Sequence, residues 1–203
     1  MTKPVYEIKT IDSMDELDRG NIAVVDTYNW GGDYRPKVFA TLCYIRDKGF
    51  GVRLWCEEKN PRAVFTEPNS GVCRDSCLEF FADFKPETGK GYVNFEGNSI
   101  GTMLCFLGPD RFSRKPVVEL GVPHPQPKAF KTDDTWGWEL FIPLSFIETL
   151  YGDAAFEKGS HIRANFYKCG DDCEVIHYAS FTKIESENPD YHRPEAFAEM
   201  EIV

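Results

Sequence analysis

Short apolar runs, separated by turn-forming residues, recur along most of the chain. The runs are rich in Val, Phe, Tyr and Leu, and clusters of Gly, Pro, Asn and Asp interrupt them, which is typical of an antiparallel all-β domain. We predict strands over residues 22–27, 38–46, 50–57, 77–84, 91–97, 102–107, 135–142, 161–168, 176–182 and 196–203. The pattern therefore predicts an all-β fold, an antiparallel two-sheet β-sandwich.

One short helix is predicted over residues 143–151. A Pro suits the first helical turn, the apolar Leu144, Ile147 and Leu150 share one face, and Gly152 is able to end the helix. The Pro- and Gly-rich stretches 112–128 and 185–194 are predicted to be long loops, where binding groups often lie. With 203 residues, all these elements fit a single domain spanning 1–203.

Apolar side chains alternate with polar, charged and aromatic ones along two predicted strands, which separates a core face from a face that is able to bind a ligand. Tyr92, Asn94 and Glu96 alternate with apolar residues on one strand, as Arg163 does on another. Aromatic rings pack on the C–H faces of sugars, and planar polar groups reach their hydroxyls, so these faces favour carbohydrate binding. The alternative is an ordinary solvated sheet face, which shows the same alternation.

Charge and hydropathy argue against two classes of partner. The 33 acidic residues outnumber the 23 basic ones, and a net charge of −10 repels nucleic acid phosphates and anionic lipid surfaces. No run of about 18 apolar residues occurs, and the first residues lack the apolar stretch of a secretory signal. We expect no nucleic acid and no membrane partner, and a cytoplasmic location.

Seven cysteines form an odd set scattered through apolar runs, which favours reduced thiols over a disulfide framework. The spacing of Cys73 with Cys77 and of Cys169 with Cys173 leaves a four-thiolate zinc site as an alternative. Cys77 begins an apolar strand, however, where a free thiol commonly packs as a small apolar group. We therefore expect no cofactor and no metal.

Enzyme signatures are absent from the sequence. Glu79 and Asp83 share a strand face, but four residues of strand separate them by about 13 Å. Glycoside hydrolysis needs two carboxyls roughly 5–9.5 Å apart. No nucleophile elbow, zinc-protease or phosphate-binding motif occurs. We expect no catalytic residues and no enzyme activity.

Several sequence blocks carry a family resemblance. RDSCLEFF, GYVNFEG, WGWELFIPLSFI, NFYKCGD and PDYHRPEAF, in this order, resemble the standalone branch of the family 9 carbohydrate-binding modules over residues 30–202. The resemblance implies a DOMON-like antiparallel β-sandwich, a noncatalytic role and a site for the ends of sugar chains. A glycan-active enzyme and a structural or protein-interaction sandwich remain the alternative functions.

The resemblance also implies a site in which two aromatic side chains hold a sugar between them. Val72, Cys73 and Arg74 occupy the place of the first aromatic, and Phe181 occupies that of the second. Together with the alternation, this predicts a carbohydrate-binding set of eight residues: Asn94, Glu96, Tyr92, Arg163, Lys168, Tyr178, Phe181 and Arg193. For Tyr178 and Phe181 the alternative is a place in the core, and for Arg193 it is a surface ion pair.

Overall fold

The computed structural model describes residues 6–203, which fold into fourteen strands and one α-helix. The strands are β1 (Tyr6–Ile11), β2 (Ile22–Val24), β3 (Thr27–Gly31), β4 (Lys37–Ile45), β5 (Gly49–Glu57), β6 (Cys77–Asp83), β7 (Tyr92–Asn98), β8 (Met103–Gly108), β9 (Lys115–Pro116), β10 (Lys128–Lys131), β11 (Trp136–Pro143), β12 (His161–Gly170), β13 (His177–Ser180) and β14 (Ala198–Ile202). The helix α1 spans Leu144–Tyr151. Among these residues no helix has the length and apolarity needed to cross a bilayer.

Two curved layers of strands make up the fold. The first layer, the site sheet, has the order β14-β12-β6-β7-β8-β9, with β13 and β3 continuing from β12. The second layer, the back sheet, has the order β10-β11-β5-β4, with β2 beside β4. A mostly β, sandwich-like fold with one short helix is therefore confirmed.

The strand β1 joins the two layers and corrects the prediction of a purely antiparallel sandwich. Its first half pairs in parallel with β14, with Tyr6 opposite Met200, and its second half pairs in parallel with β4, with Lys9 opposite Cys43. The layers thus form one curled, mixed sheet. The strand β1 was not among the predicted strands, although Tyr6 and Ile8 are buried and alternate with exposed residues.

The main core lies between the two layers and follows the predicted alternation. Val93 and Phe95 on β7 face it, and the ring of Phe80 on β6 stacks between Phe95 and Phe166 at centroid distances of 5.9 and 5.3 Å. The helix α1 covers one end of this core and stops at Gly152, whose φ of 82° is readily adopted by glycine.

The opposite face of the site sheet is covered rather than solvated. Phe81, Tyr92, Tyr167, Tyr191 and Phe197 form a second apolar cluster there, because loops from the C-terminal third of the chain fold over the strands. Polar side chains that alternation directs to this face are consequently buried, and they form the base of a pocket.

Candidate functional site

A pocket of about 210 Å³ opens above the covered face of the site sheet. Its floor includes Glu79 from β6, Glu96 from β7 and Cys169 from β12. Because these three strands are neighbours in the sheet, their outward side chains project together into one space. The walls come from the loop after β8, the turn after β12 and the loop before β14.

Two buried carboxyl groups dominate the floor. Glu79 and Glu96 are directly opposite each other on β6 and β7. Burial raises the pKa of both carboxyls, and for Glu79 the nearby Glu96 raises it further. The amide of Asn94 donates to Glu96 Oε1 at 2.7 Å, and Arg114 Nη1 lies 3.7 Å from the same oxygen. The floor therefore offers both hydrogen-bond donors and hydrogen-bond acceptors to the hydroxyls of a ligand.

The loop residue Arg111 and the segment around Asp190 form one wall. Arg111 Nη2 donates to Asp190 Oδ1 at 2.8 Å. Burial raises the pKa of Asp190, but hydrogen bonds from Arg111 and the His192 N–H outweigh it and lower that pKa. Burial, with the charges of Arg114 and Arg111, lowers the pKa of His192 to about 3, so its ring is neutral.

Aromatic side chains form the other wall. Tyr178 is partly exposed and packs edge-on against Trp30 and Tyr191, both at 6.3 Å between ring centroids. Tyr191 in turn stacks on Tyr167 at 4.2 Å. The pocket thus combines a supported aromatic ring with polar groups, the two features that sugar recognition requires.

Five of the eight predicted residues lie in or directly around this pocket. Glu96 and Tyr178 line it. Asn94 bonds to Glu96, the hydroxyl of Tyr92 lies 2.8 Å from His192 Nδ1, and Arg193 pairs with Asp190 at 3.1 Å. The fold therefore brings β7, near the middle of the chain, close to the C-terminal loops, and the role of these five residues in carbohydrate binding stays a prediction.

The other three predicted residues lie elsewhere. Arg163 Nη2 donates to the Pro194 carbonyl at 2.8 Å, away from the pocket lining. Lys168 follows Tyr167 on β12, so it points to the opposite face of the sheet and is fully buried. Phe181 packs against the main core. The structure does not bring Phe181, Arg163, Asn94 and Lys168 to one site.

Several pocket residues were not predicted as binding groups. Glu79 was considered only as a catalytic acid, and Arg111, Arg114 and Asp190 were not selected at all. The two arginines follow β8 in the segment GPDRFSRKP, and their only sequence signal is a Gly- and Pro-bounded turn with repeated basic residues. His192 belongs to the PDYHRPEAF block that carries the family resemblance.

All seven cysteines lie within the described residues and are free thiols. Burial raises the pKa of six of them, for example to about 11 for Cys43 and about 12 for Cys56. For Cys169 the hydrogen bond with Cys77 raises the pKa most, and burial raises it further. The four cysteines considered for zinc do not form a four-thiolate cluster in this part of the chain. The ligand atoms that do lie together belong to Cys77, Glu79 and Cys169.

We expect a thiol reagent to find seven free groups in denatured protein that has not been treated with a reductant. In the native protein the five buried thiols should react only on unfolding, because burial both blocks access and disfavours the reactive thiolate. Only Cys73 and Cys173, which are partly exposed, should react earlier. Time-resolved thiol titration with and without denaturant measures this, and fewer than seven groups after denaturation would reveal a disulfide.

Residues 10–202 match Carbohydrate-binding family 9. The chain belongs to this family. No curated protein matches it. The family resemblance of the sequence blocks is confirmed, and the family 9 module is a noncatalytic carbohydrate-binding domain.

Solved structures share the fold of this family 9 module. A protein from Bacteroides uniformis to which a carbohydrate-binding function is attributed aligns over 100% of both chains, with a TM-score of 0.81 and 21% identity. A family 9 module from Caldicellulosiruptor kristjanssonii in complex with cellotriose aligns over 98% of this chain and 93% of that chain, with a TM-score of 0.65 and 11% identity. Its glucose complex aligns over 98% and 96%, with a TM-score of 0.66 and 11% identity.

Proposed function

We propose that this family 9 module binds the terminal residue of a saccharide in the pocket above Glu79 and Glu96. The observation that carries the proposal is the pairing of these buried carboxyls with Tyr178 and Arg111 around one opening. A volume of about 210 Å³ lies below the ~300–1,000 Å³ of drug-sized ligand pockets, which favours a single sugar ring over an extended chain.

The walls and the floor of the pocket contact different parts of the sugar. Tyr178 offers a ring surface to the C–H groups of the sugar, and Arg111 and the floor carboxyls hydrogen-bond its hydroxyls. Cys73 lines the pocket at the place where the family resemblance implies an aromatic, so the sugar stacks on one side only. We therefore propose modest affinity for neutral or basic saccharides, between millimolar and micromolar, or roughly −4 to −8 kcal/mol.

Calorimetric titration with glucose, cellotriose and a panel of other saccharides tests this proposal. The glucose and cellotriose complexes of the Caldicellulosiruptor module support these two as first ligands. Absence of heat and of NMR shifts across the whole panel would contradict the proposal.

Arg111→Gln should weaken saccharide binding about tenfold or more and leave the melting temperature nearly unchanged. A hydrogen bond from a charged donor contributes about 1.5–3 kcal/mol, and Arg111 is partly exposed, so the fold does not depend on it. Arg46→Gln is the matched control, because Arg46 also pairs with an aspartate at the surface but lies outside the pocket. Equal saccharide affinity of the two variants would show that Arg111 does not contribute to saccharide binding.

Glycoside hydrolysis is the second candidate, since Glu79 and Glu96 are two adjacent carboxyls in one pocket. Catalysis requires the two carboxyls to flank the scissile bond. As cross-strand neighbours on one sheet face, both of them approach a ligand from the same side, which supports binding without cleavage. Incubation with oligosaccharides followed by product analysis tests this, and release of glucose would reverse the assignment.

We also propose that the module functions in a reducing compartment such as the cytoplasm. Seven free thiols support this, because oxidising compartments favour disulfides in exported proteins. Fractionation of the native host, with detection of the module by antibody, tests the location.

A further inference from the structure

Three ligating side chains from two strands converge at the floor of the pocket. Cys77 and Glu79 are two residues apart on β6 and therefore share its outward face. Cys169 on β12 is the direct cross-strand partner of Cys77. The two thiol sulfurs and a Glu79 oxygen all lie within 4.8 Å of one another, and Cys169 Sγ donates to Glu79 Oε1 at 2.9 Å.

These separations fit the first coordination sphere of a tetrahedral metal ion. Zinc binds thiolate at about 2.3 Å and carboxylate at about 2.0–2.2 Å, so its ligand atoms lie roughly 3–4 Å from each other. Small rotations of the three side chains bring their donors into that range. Adjacent strands of a paired sheet hold the three backbone positions rigidly, which is favourable for a metal site.

The surroundings of the Glu79 side chain favour a bound metal cation over an arrangement in which Glu79 and the two cysteines only pack against each other. Its side chain is almost completely buried, and it makes its hydrogen bond with the thiol of Cys169 rather than with a basic side chain. Glu96 directly opposite adds a second carboxyl. A packed pair of thiols alone needs no carboxyl beside it, whereas a metal ion compensates the charges of two thiolates and a carboxylate.

We propose that Cys77, Cys169 and Glu79 form a three-ligand site for a soft divalent metal ion of the zinc type. Two thiolates select against calcium and magnesium, which prefer oxygen ligands. Glu79 and Cys169 line the pocket, so the fourth coordination position faces its interior. That position takes a water molecule or another small oxygen donor, as in three-ligand zinc sites with an open position.

Cobalt(II) is the probe for this site, because its thiolate complexes absorb in the near ultraviolet. Chelator-treated, reduced full-length protein should bind one equivalent of cobalt with a thiolate charge-transfer band, and zinc should displace it. Cys169→Ser and Cys77→Ser should lose the band. Cys43→Ser is the matched control, since Cys43 is an equally buried thiol in a separate cluster with Ile11, Leu17 and Ile45, and it should keep the band.

Glu79→Gln separates ligation from folding. Glutamine preserves the size of the side chain, so this variant should fold, keep a thiolate band and bind cobalt at least tenfold more weakly. Circular dichroism checks each variant, and if one cysteine variant fails to fold, the other and Glu79→Gln decide the outcome. Absence of the band in the wild-type protein, or an unchanged band in Cys169→Ser, would overturn the proposal.

The metal proposal and the saccharide proposal fail independently. Saccharide calorimetry on the metal-free protein reports on the pocket without an ion. Sugar binding without a cobalt band overturns the metal site alone, whereas a cobalt band without sugar binding supports the metal site and contradicts the proposed function.

Discussion

Lys168→Met is expected to lower the free energy of unfolding by about 3–5 kcal/mol, the range for removing one partner of a buried ion pair. Lys168 is fully buried, and its Nζ lies 3.5 Å from Glu58 Oε2. It also donates to Ser76 Oγ at 2.9 Å and to the Cys169 carbonyl at 3.0 Å. Methionine fills a similar volume, so the loss would come from the stranded Glu58 carboxylate rather than from a cavity.

This loss should depend on pH. Burial raises the pKa of Glu58, but the charge of Lys168 and hydrogen bonds from Ser76 and Trp136 outweigh it and lower that pKa. A carboxyl whose pKa is lowered in the folded state stabilises it above the pKa of the unfolded chain, and this stabilisation disappears as the pH falls through the folded-state pKa. The difference between wild type and Lys168→Met should therefore shrink in acid.

His177 contributes a second pH dependence in the same network. Burial and the charge of Lys168 lower its pKa to about 4, so the folded state keeps the ring neutral. Between that value and the ordinary pKa of about 6.5, the unfolded chain binds the extra proton, and wild-type stability falls as the pH is lowered. Without Lys168 the pKa of His177 should rise, which weakens this slope in the variant.

Urea unfolding of both proteins across this pH range measures these effects. Lys183→Met is the matched control, because Lys183 is mostly exposed and pairs with Glu185 at the surface. Its stability should change by less than about 1 kcal/mol. A similarly small change in Lys168→Met would show that the buried pair contributes little.

Phe181→Ala is expected to destabilise the protein by about 3 kcal/mol while saccharide affinity stays unchanged. The Phe181 ring lies 6.0 Å from that of Phe166 and 6.3 Å from that of Tyr6, so its loss leaves a cavity beside the main core. Phenylalanine truncations in cores cost about 3–5 kcal/mol, and the partial exposure of Phe181 favours the lower end.

Thermal melting and saccharide titration of the same variant separate a core residue from a stacking residue. Phe112→Ala is the control for stability, because Phe112 is 91% exposed and its removal creates no cavity. If Phe181→Ala melted like the wild type and lost saccharide binding, Phe181 would instead be the stacking residue that the family resemblance implies.

The strands with strong local alternation were predictable. The predicted segment 91–97 corresponds to β7, and 161–168 to most of β12, because alternating apolar residues and flanking turns are local signals. The helix over 143–151 was predicted to within one residue, since Pro143 and Gly152 mark its ends. The short edge strands β9 and β10 were not predicted, because their few residues carry little pattern.

By itself the sequence determined the β architecture, the family and the two regions, around Asn94 and around Tyr178, that meet at the pocket. Only the tertiary structure decided which other residues reach the pocket beside these two regions. Strand alternation separates the two faces of a sheet but does not say which face a distant loop covers, so Arg111 and Asp190 became visible only once the loops were in place. In the same way, Lys168 is of a residue type that can bind a saccharide. Side chains alternate between the two faces of β12, however, so Lys168 points toward Glu58 and away from the pocket.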